Sequence, residues 1–125
     1  MLERITPQWL AGFFDGEGSI VLMNWRGQVK VAASIGQKDL SLLMAIRSKY
    51  PEFRKPTFNS NDTKGCWFIR ANGRKAKRFL EDIAPYVIRK RTQVELALEF
   101  IETVKWACGR KKLEAINTKQ LGIAA

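Results

Sequence analysis

Apolar and polar positions along this chain alternate in two periods, one helical and one extended. Leu10, Phe13 and Phe14 recur at helical spacing behind Thr6-Pro7, which supplies an N-cap and a proline for the first helical position. Gly16 and Gly18 are expected to end that helix. Ser19 to Trp25 reads as a strand, Arg26-Gly27-Gln28 as a turn, and Val29 to Ile35 as an alternating second strand, which together make a hairpin. Gln37 to Lys49 reads as a helix through Leu40, Leu43, Met44 and Ile46, stopped by Pro51. Thr57 to Asn59 and Cys66 to Arg70 read as two further strands joined by the polar loop from Asn59 to Gly65. Gly73 to Ile83 is predicted helical (Ala76, Phe79, Leu80, Ile83), and so is the stretch from Pro85 to about Ala107 (Val94, Leu96, Leu98, Phe100, Ile101, Val104). Beyond Gly109 the pattern is mixed, with room for a short helix between Lys111 and Gln120.

The order α-β-β-α-β-β-α-α predicts an α+β fold, an antiparallel four-stranded sheet with helices on one face. The division is one domain over 1–106 and a basic C-terminal tail over 107–125. Such a sheet leaves its other face open. Val29, Val31, Ala33 and Ile35 share one face of the second strand, and Lys30, Ala32 and Ser34 the other. On the first strand, Ile20 and Leu22 are assigned to the core, and Val21, Met23 and Trp25 to the open face. Met23 and Trp25 are costly to leave in water, so that face is expected to meet a partner. A twisted two-stranded ribbon fits the DNA major groove and presents alternate side chains to base edges. The register of the third and fourth strands stays open, and with it whether Trp67 is core or contact.

Charge narrows the partner. Lys and Arg number 22 against 12 Asp and Glu, a net +10, which favours a polyanion. Histidine is absent, which removes His-based nuclease chemistry, His-based zinc sites and Ser-His triads. Cys66 and Cys108 lack metal-binding spacing and read as thiols in a reducing compartment. The apolar runs are too short for a membrane span, and no membrane partner is expected. No secretory signal is seen; the expected location is intracellular, in a bacterial or phage cytoplasm or encoded within an organelle.

The candidate chemistry lies in Leu10-Ala11-Gly12-Phe13-Phe14-Asp15-Gly16-Glu17-Gly18-Ser19-Ile20. Asp15 and Glu17 fall at the negative end of the first helix, where carboxylates are disfavoured. Locally unfavourable choices of this kind are often functional. A divalent cation resolves the conflict, since carboxylate and carbonyl oxygens are ligands for hard metals. Gly12 and Gly16, four apart, leave one helix face as nearly bare backbone.

Residues 10–18 resemble the motif of the LAGLIDADG homing endonucleases, and the following hairpin and element order match that family over about residues 5 to 106. The resemblance implies a site-specific endonuclease with Mg²⁺ as cofactor, Mn²⁺ substituting. It places Glu17 at the position of the catalytic carboxylate, usually Asp, and implies that Glu17 and the Gly16 carbonyl hold the metal. The first acid, Asp15, is by the same resemblance mostly structural. Gln37 matches a polar residue that follows the second strand and helps position water or metal. Lys90 best matches a basic residue beside the scissile phosphates, although Arg89 and Arg91 flank it. An Arg that the family sometimes carries in the next helix is absent: Asp39, Leu40 and Ser41 stand there, so the role is vacant or moved to Lys38.

One motif copy implies a homodimer packed through the motif helix, with Leu10, Ala11, Gly12, Phe13, Asp15 and Gly16 at the seam. The twofold axis would bring two Glu17 carboxylates to the centre of a long pseudo-palindromic duplex, on the order of two helical turns. Cuts across the minor groove leaving short 3′ overhangs are implied, as is a host intron or independent gene. Asn24, Trp25, Arg26, Lys30, Ser34, Lys38, Arg70 and Arg74 are the expected DNA contacts. Two alternatives stand beside this reading. A non-cleaving module, an RNA maturase or a DNA-binding regulator, would keep the scaffold without needing Glu17, Gln37 and Lys90 together. A ribosomal or structural RNA binder explains the charge but not the acidic helix end.

Overall fold

The computed structural model describes residues 2–25, 28–59 and 65–103, with backbone alone at 23–25, 28–29 and 103. Arg26, the side chains of Asn24 and Trp25, most of the 59–65 loop and the 107–125 tail therefore lie outside the described residues.

The first helix, α1, runs Pro7–Glu17, with the Thr6 hydroxyl accepting from the Trp9 N–H at 3.1 Å. It is followed by β1 (Gly18–Trp25), β2 (Gln28–Gln37) and α2 (Leu40–Lys49). Then come β3 (Thr57–Asn59), β4 (Cys66–Asn72), a 3₁₀ turn (Gly73–Ala76), α3 (Lys77–Ile83) and α4 (Arg91–Thr103). The four strands form one antiparallel sheet in the order β1-β2-β4-β3. The expected fold class and element order hold.

Among the boundaries that differ from expectation, three bear on the site. Gln37 belongs to β2, not to a helix; α2 starts only at Leu40, because the Asp39 carboxylate caps it by accepting from Ser41 N and Leu42 N. Residues 84–90 form turns instead of the first part of a long helix, and α4 begins at Arg91. Gly18 ends α1 in an extended conformation (φ −94°, ψ 169°) rather than a left-handed cap. Its lack of a side chain has another reason: a Cβ there would stand 2.1 Å from the Phe14 ring.

The core lies between the helices and one sheet face. Ile20, Val31, Ala33, Ile35, Ile69 and Ala71 supply the sheet side, with Leu22 partly buried against them. Leu10 and Phe14 of α1, Leu43 and Ile46 of α2, Phe79 and Leu80 of α3, and Val94 and Ala97 of α4 close over it. Phe79 is central, meeting Phe14, Tyr50 and Phe53 edge-on with centroids 5.1 to 5.6 Å apart.

The opposite face carries the other strand parity. Register sets Ser19, Ser34 and Arg70 in one row, and Val21, Ala32 and Asn72 in the next. Lys30 is exposed there and Ser34 half-buried. Ala32 shares that face but is wholly buried, because a methyl group between Val21 and Asn72 is covered by its neighbours. Trp67 is packed against the core, with Phe58 edge-on to it at 5.2 Å.

Candidate functional site

The site grows from the C-terminal end of α1. A helix ends with carbonyls that lack helical partners and with a partial negative charge. Glu17, the last residue of α1, is exposed there. Asp15, two residues earlier and half-buried, turns inward instead. Its Oδ2 accepts from Ile88 N at 2.8 Å and its Oδ1 from Lys90 N at 3.0 Å. In return, Lys90 Nζ donates to the Asp15 carbonyl at 2.7 Å. Glu17 and Lys90, 73 positions apart in sequence, are thereby brought to one helix end.

The electrostatics follow from that geometry. Burial pushes the Asp15 carboxyl up, but the N–H donors of Ile88, Lys90 and Arg89 and the Lys90 charge outweigh it and hold its pKa below the usual value. Lys90 lies below the ordinary lysine value: burial and the Arg89 charge lower it, against the opposing pull of Asp15 and Glu17. Of the three consecutive cations, only Lys90 turns to α1. Arg91 Nε donates to Glu95 Oε1 at 2.9 Å, and Arg89 is exposed.

Gln37 ends β2. Gly18 pairs with Ile35, so Gln37 lies two residues further on, about 7 Å, alongside the end of α1. Its Oε1 accepts from Lys38 N at 2.9 Å. Lys38 is exposed beside it. The arginine of α2, Arg47, serves the fold, with Nε donating to Phe53 O at 3.0 Å.

The seam expected on α1 needs correction. Leu10 and Ala11 are fully buried within the subunit, so neither faces a second copy. At 100° per residue they share the inward face with Phe14, and small size alone does not make Ala11 part of a bare surface. Asp15 is engaged with its own chain. Gly12 and Gly16 are exposed, and a Cβ on either would meet nothing within 4 Å. Phe13 is half-buried and stacks on Trp9 at 4.9 Å. Trp9, 40% exposed, was missed from sequence; its spacing to Gly12, Phe13 and Gly16 was the available signal.

Farther along the open face, Arg70 lies over the Phe68 ring at 5.5 Å. At the end of the sheet, Lys30, Arg54, Arg74 and Lys75 line a cleft of about 590 Å³ with Val31 and Phe100 among its apolar walls. These four side chains form a basic margin.

Among the described residues no three acidic, cysteine or histidine side chains cluster as a metal site. The donors at the end of α1, the Glu17 carboxylate and the Gly16 carbonyl, are hard oxygens suited to Mg²⁺ or Mn²⁺, but one subunit offers too few of them. They fit a site completed from outside the chain. Among the described residues no helix is long and apolar enough to cross a membrane.

No protein-family model and no curated protein sequence matches this chain. Solved structures do. The homing endonuclease I-CvuI, in complex with its target in the presence of Ca, is 25% identical at a TM-score of 0.63, over 77% of this chain and 65% of that one. The LAGLIDADG meganuclease I-AabMI, bound to uncleaved DNA, gives 0.71 at 21% identity, over 93% of this chain and 44% of that one. The archaeal intron-encoded homing endonuclease I-Vdi141I, complexed with DNA, gives 0.73 at 19% identity, over 96% and 84%. The chain thus aligns with less than two thirds of the first two.

Proposed function

The chain carries the fold of the LAGLIDADG homing endonucleases, and from that premise we propose that it is a divalent-metal-dependent, site-specific DNA endonuclease working as a homodimer. One observation carries the reading. An exposed acid, Glu17, and an anchored ammonium, Lys90, stand at the end of a helix whose neighbouring face exposes backbone at Gly12 and Gly16.

Glu17 and the Gly16 carbonyl, with their counterparts from a second copy, would hold Mg²⁺. When bound, such an ion lowers the pKa of an attacking water and stabilises the leaving oxygen. Gln37 supplies a neutral amide to orient water by hydrogen bonding. Lys90 offsets the negative charge that builds on the phosphate in the transition state. No covalent enzyme intermediate is needed, and cuts offset across the minor groove give short 3′ overhangs.

Double-stranded DNA is the proposed substrate. Lys30, Ser34 and Arg70 on the open face would read each half-site, and the expected contacts Asn24, Trp25 and Arg26 would join them. Arg74 and Lys38 would contact phosphates, so affinity is expected to fall steeply with salt.

The test is a cleavage selection on a randomised duplex library at low salt with Mg²⁺, repeated with Glu17→Gln. The unaltered protein should cut a pseudo-palindromic site, and the variant should cut it about a thousandfold more slowly, a barrier increase of about 4 kcal/mol. Undiminished cutting by Glu17→Gln overturns the catalytic assignment. Duplex binding with no cutting in Mg²⁺ or Mn²⁺ favours the non-cleaving module instead.

A further inference from the structure

Asp15 is the carboxylate of the motif to which this chemistry gives no part. Both of its side-chain oxygens are engaged by the backbone of a distant turn, at Ile88 N (2.8 Å) and Lys90 N (3.0 Å). Its carbonyl receives the Lys90 ammonium at 2.7 Å. One residue therefore grips the same lysine at both its main chain and its side-chain tip.

We propose that Asp15 is a positioning residue: by tying residues 88–90 to the end of α1, it presents Lys90, and neither flanking arginine, to the phosphate that Glu17 serves. The proposal rests on the endonuclease reading. Packing fixes the turn only as far as Val87, which is buried and whose N–H reaches Ile83 O at 3.0 Å. The next side chain, Ile88, is 85% exposed and contributes little anchoring. From there to the first turn of α4, where Val94 N donates to Lys90 O, the Asp15 carboxylate is the long-range tether of the main chain among the described residues. Without it, three adjacent cations would compete for one place. A lysine on its flexible four-carbon stem is the least able of them to hold a position unaided. With it, the ammonium also neutralises an orphan carbonyl at the negative end of α1.

The test compares Asp15→Asn, Lys90→Met and the double variant in single-turnover cutting of the duplex that the unaltered protein cuts fastest in Mg²⁺. Duplex affinity without added metal and amide hydrogen exchange at Ile88 and Lys90 are read alongside. Asp15→Asn should cut roughly ten- to a hundredfold more slowly, bind within about twofold of the unaltered protein, and exchange both amides faster. The double variant should be no slower than Lys90→Met, because Asp15 acts through that lysine. Multiplying losses, full-rate cutting by Asp15→Asn, or unchanged exchange at both amides each overturn the proposal. If Asp15→Asn does not fold, Asp15→Glu, which shifts the carboxylate by one methylene, is read the same way. An unaltered protein that cuts no duplex refutes the endonuclease reading; the exchange measurement, which needs no DNA, then separates that failure from failure of the tether.

Discussion

The two faces of α1 are built from opposite materials. On one, Leu10, Ala11 and Phe14 are sealed beneath the other helices, each at 0% exposure. On the other, Gly12 and Gly16 offer backbone to open space, flanked by the stacked pair Trp9 and Phe13. Glycine inside a helix costs about 1 kcal/mol relative to alanine. Nothing among the described residues requires it at Gly12, where a Cβ would have none of them within 4 Å. Close approach of a second backbone is a contact that would offset the cost. The sealed face belongs to the fold of one chain, and the bare face is the argument for two.

The largest effect is expected where the sealed face has no slack. Gly18→Ala would place a methyl group 2.1 Å from a ring carbon of Phe14, which is fully buried. The ring cannot swing into solvent, so the end of α1 or the start of β1 must shift. A loss of about 3 kcal/mol is expected, read as a lower denaturation midpoint. A change within about 0.5 kcal/mol would mean that this face yields as readily as the bare one.

The same contrast explains what could be read from the chain and what could not. Element order was legible because the inward residues keep their period, 3.6 through Leu10 and Phe14, and 2 through Val31, Ala33 and Ile35. The division of α1 into faces was not, because Ala11 and Gly12 are alike in size yet lie about 100° apart. Angle decides their fate, and Trp9 shows it from the other side. The late start of α4 was hidden as well. Pro85 has the form of a helix opener, but residues 88–90 answer to Asp15, and periodicity carries no sign of a partner 73 to 75 positions away. The unfavourable end of α1 singled out Asp15 and Glu17 alike, and only the family resemblance separated their roles. Why Lys90 faces the site, rather than Arg89 or Arg91, became visible only with those long-range hydrogen bonds.

Asp15 stands on the boundary between the two faces, and acid should expose its role with a smaller effect. Its folded-state pKa lies below the ordinary 3.8, so its stabilising contribution is complete above that pH. The contribution fades as the pH falls below 3.8 and through the folded value, where the carboxylate takes up a proton. Asp15→Asn has no such proton to gain. Thermal midpoints of the two proteins should therefore differ at neutral pH and converge in acid. A gap that stays constant down to pH 2 would show that the hydrogen bonds to Ile88 and Lys90 contribute nothing through their charge.

The smallest change in subunit stability is expected at Gly12, and it should carry the opposite sign. Gly12→Ala adds a methyl group to open space and removes a backbone freedom that the unfolded chain enjoys. A monomeric subunit should gain about 0.5–1 kcal/mol. The assembly should weaken, because the methyl group keeps two helices from approaching as closely as bare backbone allows. Sedimentation of the free protein would then show the unaltered chain as a dimer and the variant shifted toward monomer, with cleavage now rising with protein concentration. An unaltered chain that stays monomeric at high concentration, or a variant that dimerises as tightly as its parent, would leave the bare face of α1 without the partner for which its glycines argue.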